Sequence, residues 1–262
     1  MQILNALNDF VFPSVCLSCG DALSVRDRYL CDSCILHRFE DASPFDPIHL
    51  PVRIQSCYAM WQFDKNETLQ HLMHLLKYQS IPQAGVEIGC ELGRKWMDFQ
   101  RMSRWSDSEG DEVGSEGSSE GWESVGERKT LYEKDSDDCI IKQDELVYLL
   151  PVPLHPSRFR KRGYNQAEKI AEGVAEVTGY EVCPSDAVVR VRNTTSQTGL
   201  RIRQRERNIK NAFEVRRPDL IRNRCILIVD DVYTTGATTF ELSSALESHE
   251  PARIHILTVA LA

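Results

Sequence analysis

Apolar residues along the chain follow two periods. IQSCYAMWQF at 54–63, LVYLLPVP at 146–153 (ending as a strand at Pro151), Ala187 to Val191, Ile226 to Val229 and IHILTVALA at 254–262 read as strands, and a further strand starts at Ala212. Helical spacing separates them. Leu69, Leu72, Met73 and Leu76 recur at i, i+3, i+4 and i+7 after Asn66, a residue able to cap a helix, and this helix ends near Lys77 and Tyr78. A second helix runs from about Pro82 to Phe99 on Val86, Ile88, Leu92 and Trp96, with Gly85, Gly89 and Gly93 counting against it. These two are expected to form a hood over the main sheet. Ala167, Ile170, Ala171 and Val174 mark another helix, residues from Thr239 to about Ser248 another, and Ile3, Leu4, Leu7, Phe10 and Val11 a short amino-terminal one that packs against the protein. Strands alternating with helices predict a mainly parallel α/β sheet.

One strand ends in chemistry. ILIVDDVYTTGATT, Ile226 to Thr239, is an apolar run that stops at two adjacent carboxylates and turns through small hydroxylated residues into a helix. Parallel strands present ligands at their carboxyl ends, where Asp230 and Asp231 would sit. The segment from Thr234 to Thr238 then offers successive backbone N–H groups at a helix start, with Gly236 permitting a tight turn, which suits a phosphate. A chance acid pair capping the helix is the plainer alternative. The segment resembles the phosphoribosyl pyrophosphate (PRPP) loop of type I phosphoribosyltransferases. The resemblance implies that Asp230 and Asp231 hold the ribose hydroxyls and stabilise positive charge on the sugar, while Thr234, Thr235, Gly236, Ala237 and Thr238 wrap the 5′-phosphate.

Length and charge refine this picture. A chain of 262 residues allows one main domain with an attached module. Residues 106–138 hold twelve acids against Arg128, Lys129 and Lys134, so this segment carries −9 of the net −8 and the remainder is +1. Rich in Ser, Gly and Glu, it is expected to be a disordered acidic insertion, a solvated loop, with an acidic decoy over the basic groove or a partner-binding loop as the competing readings. Residues 158–217 hold fourteen Lys or Arg against seven acids, a balance suited to a polyanionic ligand. The basic string HPSRFRKRGYNQ at 155–166 reads as a loop, and RNTTSQTGLRIRQRERNIKN at 192–211 as a mobile loop closing over an anion. No run approaches the roughly 20 apolar residues of a membrane span, and the amino terminus lacks a basic signal-peptide start. Both point to a cytoplasmic protein.

Cys16, Cys19, Cys31 and Cys34 form C-x2-C-x11-C-x2-C, a spacing for one tetrahedral structural zinc ion; disulfides are the competing reading. Cys57, Cys90, Cys139, Cys183 and Cys225 show no such spacing and are expected to be buried thiols.

A four-cysteine module ahead of a PRPP loop resembles the ComF family, the competence protein F relatives among the phosphoribosyltransferases. PVPLHPSRFRKRGYNQA at 151–167, Lys77 with Tyr78, and Gln197, Leu200, Arg205, Asn208 and Phe213 carry the resemblance further. It implies a type I phosphoribosyltransferase-like parallel sheet flanked by helices, with an amino-terminal zinc module at 1–50 and the PRPP domain at 51–262. It also implies magnesium bound with PRPP, an unidentified nucleobase or amine acceptor, and a link to uptake of single-stranded DNA. Arg158, Arg160, Lys161 and Arg162 are candidates for the pyrophosphate, Arg162 first because Gly163 and Asn165 shape a turn around it, with Arg192, Arg205 and Arg207 arriving from the loop. The competing class is a non-catalytic module that senses PRPP and binds single-stranded DNA or a helicase through the arginines interleaved with Phe159 and Tyr164.

Overall fold

The computed structural model describes residues 14–23, 28–43, 50–51, 54–63, 68–79, 81–108, 141, 145–192 and 210–262. Asn66, the amino-terminal helix, nearly all of the acidic insertion, Cys139 and the loop residues 193–209, with Arg205 and Arg207, lie outside them. The five-stranded sheet contains β1 (Ile54–Gln62), β2 (Val147–Pro151), β3 (Glu181–Val182), β6 (Cys225–Tyr233) and β7 (Arg253–Leu261), in the order β1-β7-β6-β2-β3. Every pair is parallel, as the alternation of elements predicts. β4 (Val188–Arg190) and β5 (Phe213–Val215) do not join this sheet; they form their own antiparallel ribbon.

The sheet is apolar on both faces because helices cover both. After α1 (Asp32–His37) in the amino-terminal module, Leu149, Leu227, Val229, Leu257 and Val259 pack with α2 (Thr68–Tyr78), α3 (Pro82–Ser108) and α5 (Gln166–Thr178). Leu150, Ile226, Ile228, Ile254 and Ile256 pack with α6 (Ala237–Glu247) and the ribbon. Alternate residues of one strand therefore enter two cores, the expected pattern for a central parallel strand. Across the described residues no helix is long and apolar enough to cross a membrane.

Chain direction creates a crevice at the carboxyl ends of neighbouring β2 and β6. From β2 the chain crosses through α5 to β3 on one side, and from β6 through α6 to β7 on the other. Connections that diverge in this way leave a gap above the sheet, the usual position of ligands in open α/β folds.

Three expectations are corrected. β6 does not stop at Val229: it stays paired with β7 through Asp230↔Thr258 and on to Tyr233↔Leu261, because the ladder continues under the acids. The basic string is not a plain loop, since it contains α4 (Pro156–Arg162), capped by His155 and closed by left-handed Gly163. α3 runs to Ser108, past Phe99 and into the start of the acidic stretch. Of the two helices expected to form a hood over the main sheet, both pack in the core on that face; α2 also lines the crevice, and α3 lies against α5. There Gly89 and Gly173 let two backbones meet, and a Cβ on either would overlap a carbonyl oxygen, of Ile170 or Val86 respectively.

Candidate functional site

Asp230 and Asp231 lie in the carboxyl-terminal half of β6, fixed by the ladder to β7 and by their own backbone. Oδ1 of Asp230 accepts the Asp231 amide at 2.9 Å, and Oδ1 of Asp231 accepts the Val232 amide at 3.1 Å. The Lys77 ammonium, from the last turn of α2, lies 2.7 Å from Oδ2 of Asp231. The two acids are consequently unlike. Burial and the neighbouring Asp231 charge raise Asp230 well above the ordinary carboxylate value. Burial pushes Asp231 upward too, but the Lys77 charge and hydrogen bond outweigh it and leave Asp231 below that value. Lys77 is itself held above its usual value, burial opposing and both acids prevailing. The result is one firmly ionised carboxylate beside one that retains its proton more readily.

Beyond Tyr233 the chain turns through Thr234, Thr235 and Gly236 into α6. Gly236 has φ 71°, and a Cβ there would overlap the Tyr233 hydroxyl and come within 2.6 Å of the Phe240 ring. No side-chain hydrogen bond caps the helix at Gly236. Thr239 turns its hydroxyl back to donate to the Gly236 carbonyl at 3.0 Å. Buried Oγ1 of Thr235 has no partner among the described residues.

A cavity of about 700 Å³ opens over this corner. Asp230, Asp231, Thr234, Gly236, Ala237, Thr238 and Arg162 all line it, together with Lys77, Tyr78, Arg158 and Arg190. Thr235 stands behind this lining. Arg192 is exposed and donates to the Lys210 carbonyl at 2.6 Å, so it is not brought to the cavity. Arg160 and Lys161 are exposed on α4 and also stand outside it. Arg162 sits with its guanidinium 5.5 Å from the Tyr78 ring centroid. Tyr164 is buried and donates to the Leu76 carbonyl, tying α2 to the turn after α4, so the expected stacking partner of Phe159 is unavailable to bases. Asn165 caps α5 through the Ala167 amide at 3.2 Å and donates to the Val152 carbonyl at 3.1 Å.

The sequence reading gave Lys77 no role and did not name Arg190. Lys77 meets Asp231 across half the chain, a pairing that no local spacing encodes. Arg190 left one signal: it shares a strand face with Val188, which is buried.

In the amino-terminal module the sulfurs of Cys16, Cys19, Cys31 and Cys34 all lie within 4.8 Å of one another. The Cys19 and Cys31 sulfurs are 3.8 Å apart. Tetrahedral coordination at about 2.3 Å per Zn–S bond sets sulfurs about 3.8 Å apart, whereas a disulfide needs about 2.05 Å. The donor set could hold a zinc ion. The Cys16 thiol is lowered to about 7: burial pushes it up, and the amides of Cys19, Cys31 and Ser18 outweigh it. Glu87 of α3 accepts from the Tyr29 and Leu30 amides, fastening the second knuckle to the sheet layers. By contrast, burial pushes Cys57, Cys183 and Cys225 up to about 12, as inert interior thiols require. Half-buried Cys90 departs from the expected burial and donates to Glu176.

No family model matches the chain. Over 108 residues it is 35% identical to DNA utilization protein YhgH of Escherichia coli (strain K12), covering 41% of this chain and 46% of that protein. It is 37% identical over 101 residues to Competence protein F of Haemophilus influenzae, covering 37% and 43%. Competence protein ComFC of Streptococcus pneumoniae matches at 31% over 107 residues, covering 41% and 44%. The chain spans about half the length of the curated relatives it matches. Over the matched stretches the chain is similar to proteins named for DNA utilization and for competence, and it carries, besides, a parallel sheet and a four-cysteine cluster that could hold a metal ion.

Proposed function

We propose that this chain is a ComF-type, PRPP-binding phosphoribosyltransferase-like protein, linked to the uptake of single-stranded DNA in natural transformation. The observation that carries the reading is the convergence, in one cavity, of two dissimilar carboxylates, uncapped helix amides and several guanidinium groups. A phosphorylated sugar uses each of them. The amides at Gly236, Ala237 and Thr238 meet the 5′-phosphate, assisted by Thr234 and Thr235. Asp230 and Asp231 accept the ribose hydroxyls; each carboxylate has lone pairs beyond those taken by the backbone and Lys77. Arg158 and Arg162 face the pyrophosphate.

Transfer would then be a displacement at the anomeric carbon. A nitrogen lone pair of the acceptor forms the new bond, the bond to pyrophosphate breaks, pyrophosphate leaves with the electron pair, and the proton on nitrogen passes to solvent. Ionised Asp231 lies where positive charge builds on the ring, and Lys77 keeps it ionised. Magnesium arriving with PRPP would neutralise pyrophosphate charge. The four thiolates would hold a structural zinc ion, and the division at about residue 50 between module and PRPP domain belongs to the same reading. Metal analysis should find one zinc per chain, lost with Cys16→Ser; full retention in that variant contradicts the four-thiolate site.

Calorimetric titration of the full chain with PRPP and magnesium tests the main claim. Binding is expected, and Asp230→Asn with Asp231→Asn should weaken it at least about tenfold, the cost of losing hydrogen bonds to charged groups. Unchanged affinity in that double variant overturns the reading. A second reading, a non-catalytic sensor that engages single-stranded DNA, is favoured by Phe159, 46% exposed beside exposed Arg160 and Lys161, and by relatives named for DNA utilization. Pyrophosphate release with a panel of bases supports the enzyme, and tight PRPP binding without turnover supports the sensor.

A further inference from the structure

The last carbonyls of a helix have no donor within the helix, and how α2 settles this bears on the acids of β6. The Leu75 carbonyl accepts the Gln79 amide at 2.9 Å. The Leu76 carbonyl accepts instead from the hydroxyl of Tyr164, 88 residues further along, in the turn after α4. Tyr164 is 8% exposed, and burial holds its phenol above the ordinary value, so the hydroxyl keeps its proton and remains a donor.

The turn that carries Tyr164 is fixed on both sides. Gly163 closes α4 in the left-handed conformation, its amide donating to the Phe159 carbonyl at 2.7 Å. Asn165 caps α5 and donates to the Val152 carbonyl at 3.1 Å. The Tyr164 hydroxyl is therefore placed by α4, α5 and the segment after β2 together. A second tie joins the same two regions, the Arg162 guanidinium lying 5.5 Å from the Tyr78 ring centroid. Lys77 stands between the two tied residues, Leu76 and Tyr78.

A lysine stem is flexible, and holding its ammonium in one place costs conformational freedom. Here the ammonium lies 2.7 Å from Oδ2 of Asp231. Burial pushes Asp231 upward; the Lys77 charge and hydrogen bond pull it down, helped by Asp230 on the same strand and by Arg162 at the end of α4. Arg158 and Arg190 are the other cations in the cavity wall. Coulomb attraction falls with distance, so an ammonium that withdraws from Asp231 leaves burial to prevail.

We propose that Tyr164 is a positioning residue: by holding the Leu76 carbonyl it fixes the end of α2, keeps the Lys77 ammonium on Asp231, and so maintains the charge of that carboxylate. The inference deepens the PRPP reading, which gives Asp231 its place on the ribose, while the relay itself rests on contacts within the protein. It differs from plain helix capping, which would stabilise α2 and leave Asp231 unaffected.

The test follows the aspartate carboxyl carbons of the full chain by carbon-13 NMR as pH is varied, in the native protein, Tyr164→Phe, Lys77→Met and the double variant. The adjacent carboxyls titrate as a pair, and the step to follow is the lower one. Tyr164→Phe keeps the ring and deletes only the hydroxyl. It is expected to move that step upward, in the same direction as Lys77→Met and by less. In the Lys77→Met background it should add nothing, because the relay then has no ammonium to place. A step unmoved by Tyr164→Phe makes the hydroxyl a helix cap alone and overturns the assignment. An equal shift with and without Lys77 overturns it as well, as does a Tyr164→Phe chain that no longer folds. The titration contains no PRPP, so its failure is separate from a failure of the PRPP reading, which calorimetry on the native protein decides.

Discussion

Glycine is used at the α3–α5 crossing and at the β6–α6 turn for opposite purposes. At the crossing, Gly89 and Gly173 remove side chains so that two helix backbones touch and solvent is excluded. At the turn, Gly236 takes a left-handed conformation that brings the start of α6 to the wall of a cavity. The first region closes the protein and the second opens it. Stability is concentrated where glycine hides backbone, and chemistry where glycine exposes it.

The crossing is the place to break this contrast most severely. Gly173→Ala drives a methyl group into the Val86 carbonyl, and neither partner is the yielding end of a side chain. We expect a loss of about 3 kcal/mol in urea denaturation, the upper range for overpacking, with PRPP affinity of the folded fraction unchanged. A loss below about 0.5 kcal/mol, the ordinary range for surface changes, would show that the helices separate freely. Gly236→Ala should cost less stability, about 1–2 kcal/mol for an L side chain in the left-handed region. Here PRPP binding should disappear as well, because the new methyl displaces Tyr233 and Phe240 beneath the amides. Retained binding would separate the turn from the ligand.

The same contrast explains how much could be read in the sequence. Ile226 to Val229 is legible as a strand because it is apolar without interruption, and Ile254 to Ala260 because only His255 and Thr258 interrupt its apolar run. The DD-to-TTGAT corner was legible because strand end, turn and helix start are contiguous in the chain. Gly85, Gly89 and Gly93 counted against a helix, since each costs about 1 kcal/mol in isolation; packing on α5 overrides that penalty. α4 had readable signals in Pro156 at its start and Gly163 at its end, but seven residues carry too little periodicity to separate from a loop. The two residues of β3 carry none. Lys77 and Arg190 belong to the site through contacts distant in sequence, and a single chain does not display those.

The smallest expected effect is also the sharpest, because it reverses sign between adjacent residues. Asp230 has a raised value in the fold, so the folded state holds that proton more tightly than the unfolded chain does. Its ionisation therefore costs stability progressively as pH rises from the ordinary carboxylate range through its raised value. Asp230→Asn removes this cost and should raise the melting temperature at neutral pH. The gain should vanish below about pH 4, where the carboxyl is protonated in both states. Asp231 is depressed, so its contribution is present above the ordinary carboxylate range and is lost as pH falls through its lowered value. Asp231→Asn leaves the Lys77 ammonium half-buried without its partner and should lower the melting temperature at neutral pH. Melting curves of both variants from about pH 4 to about pH 8 read the difference. Shifts of the same sign would mean that the two carboxylates share one environment, and the site would lose the division between an acid held below the ordinary carboxylate value and one held above it.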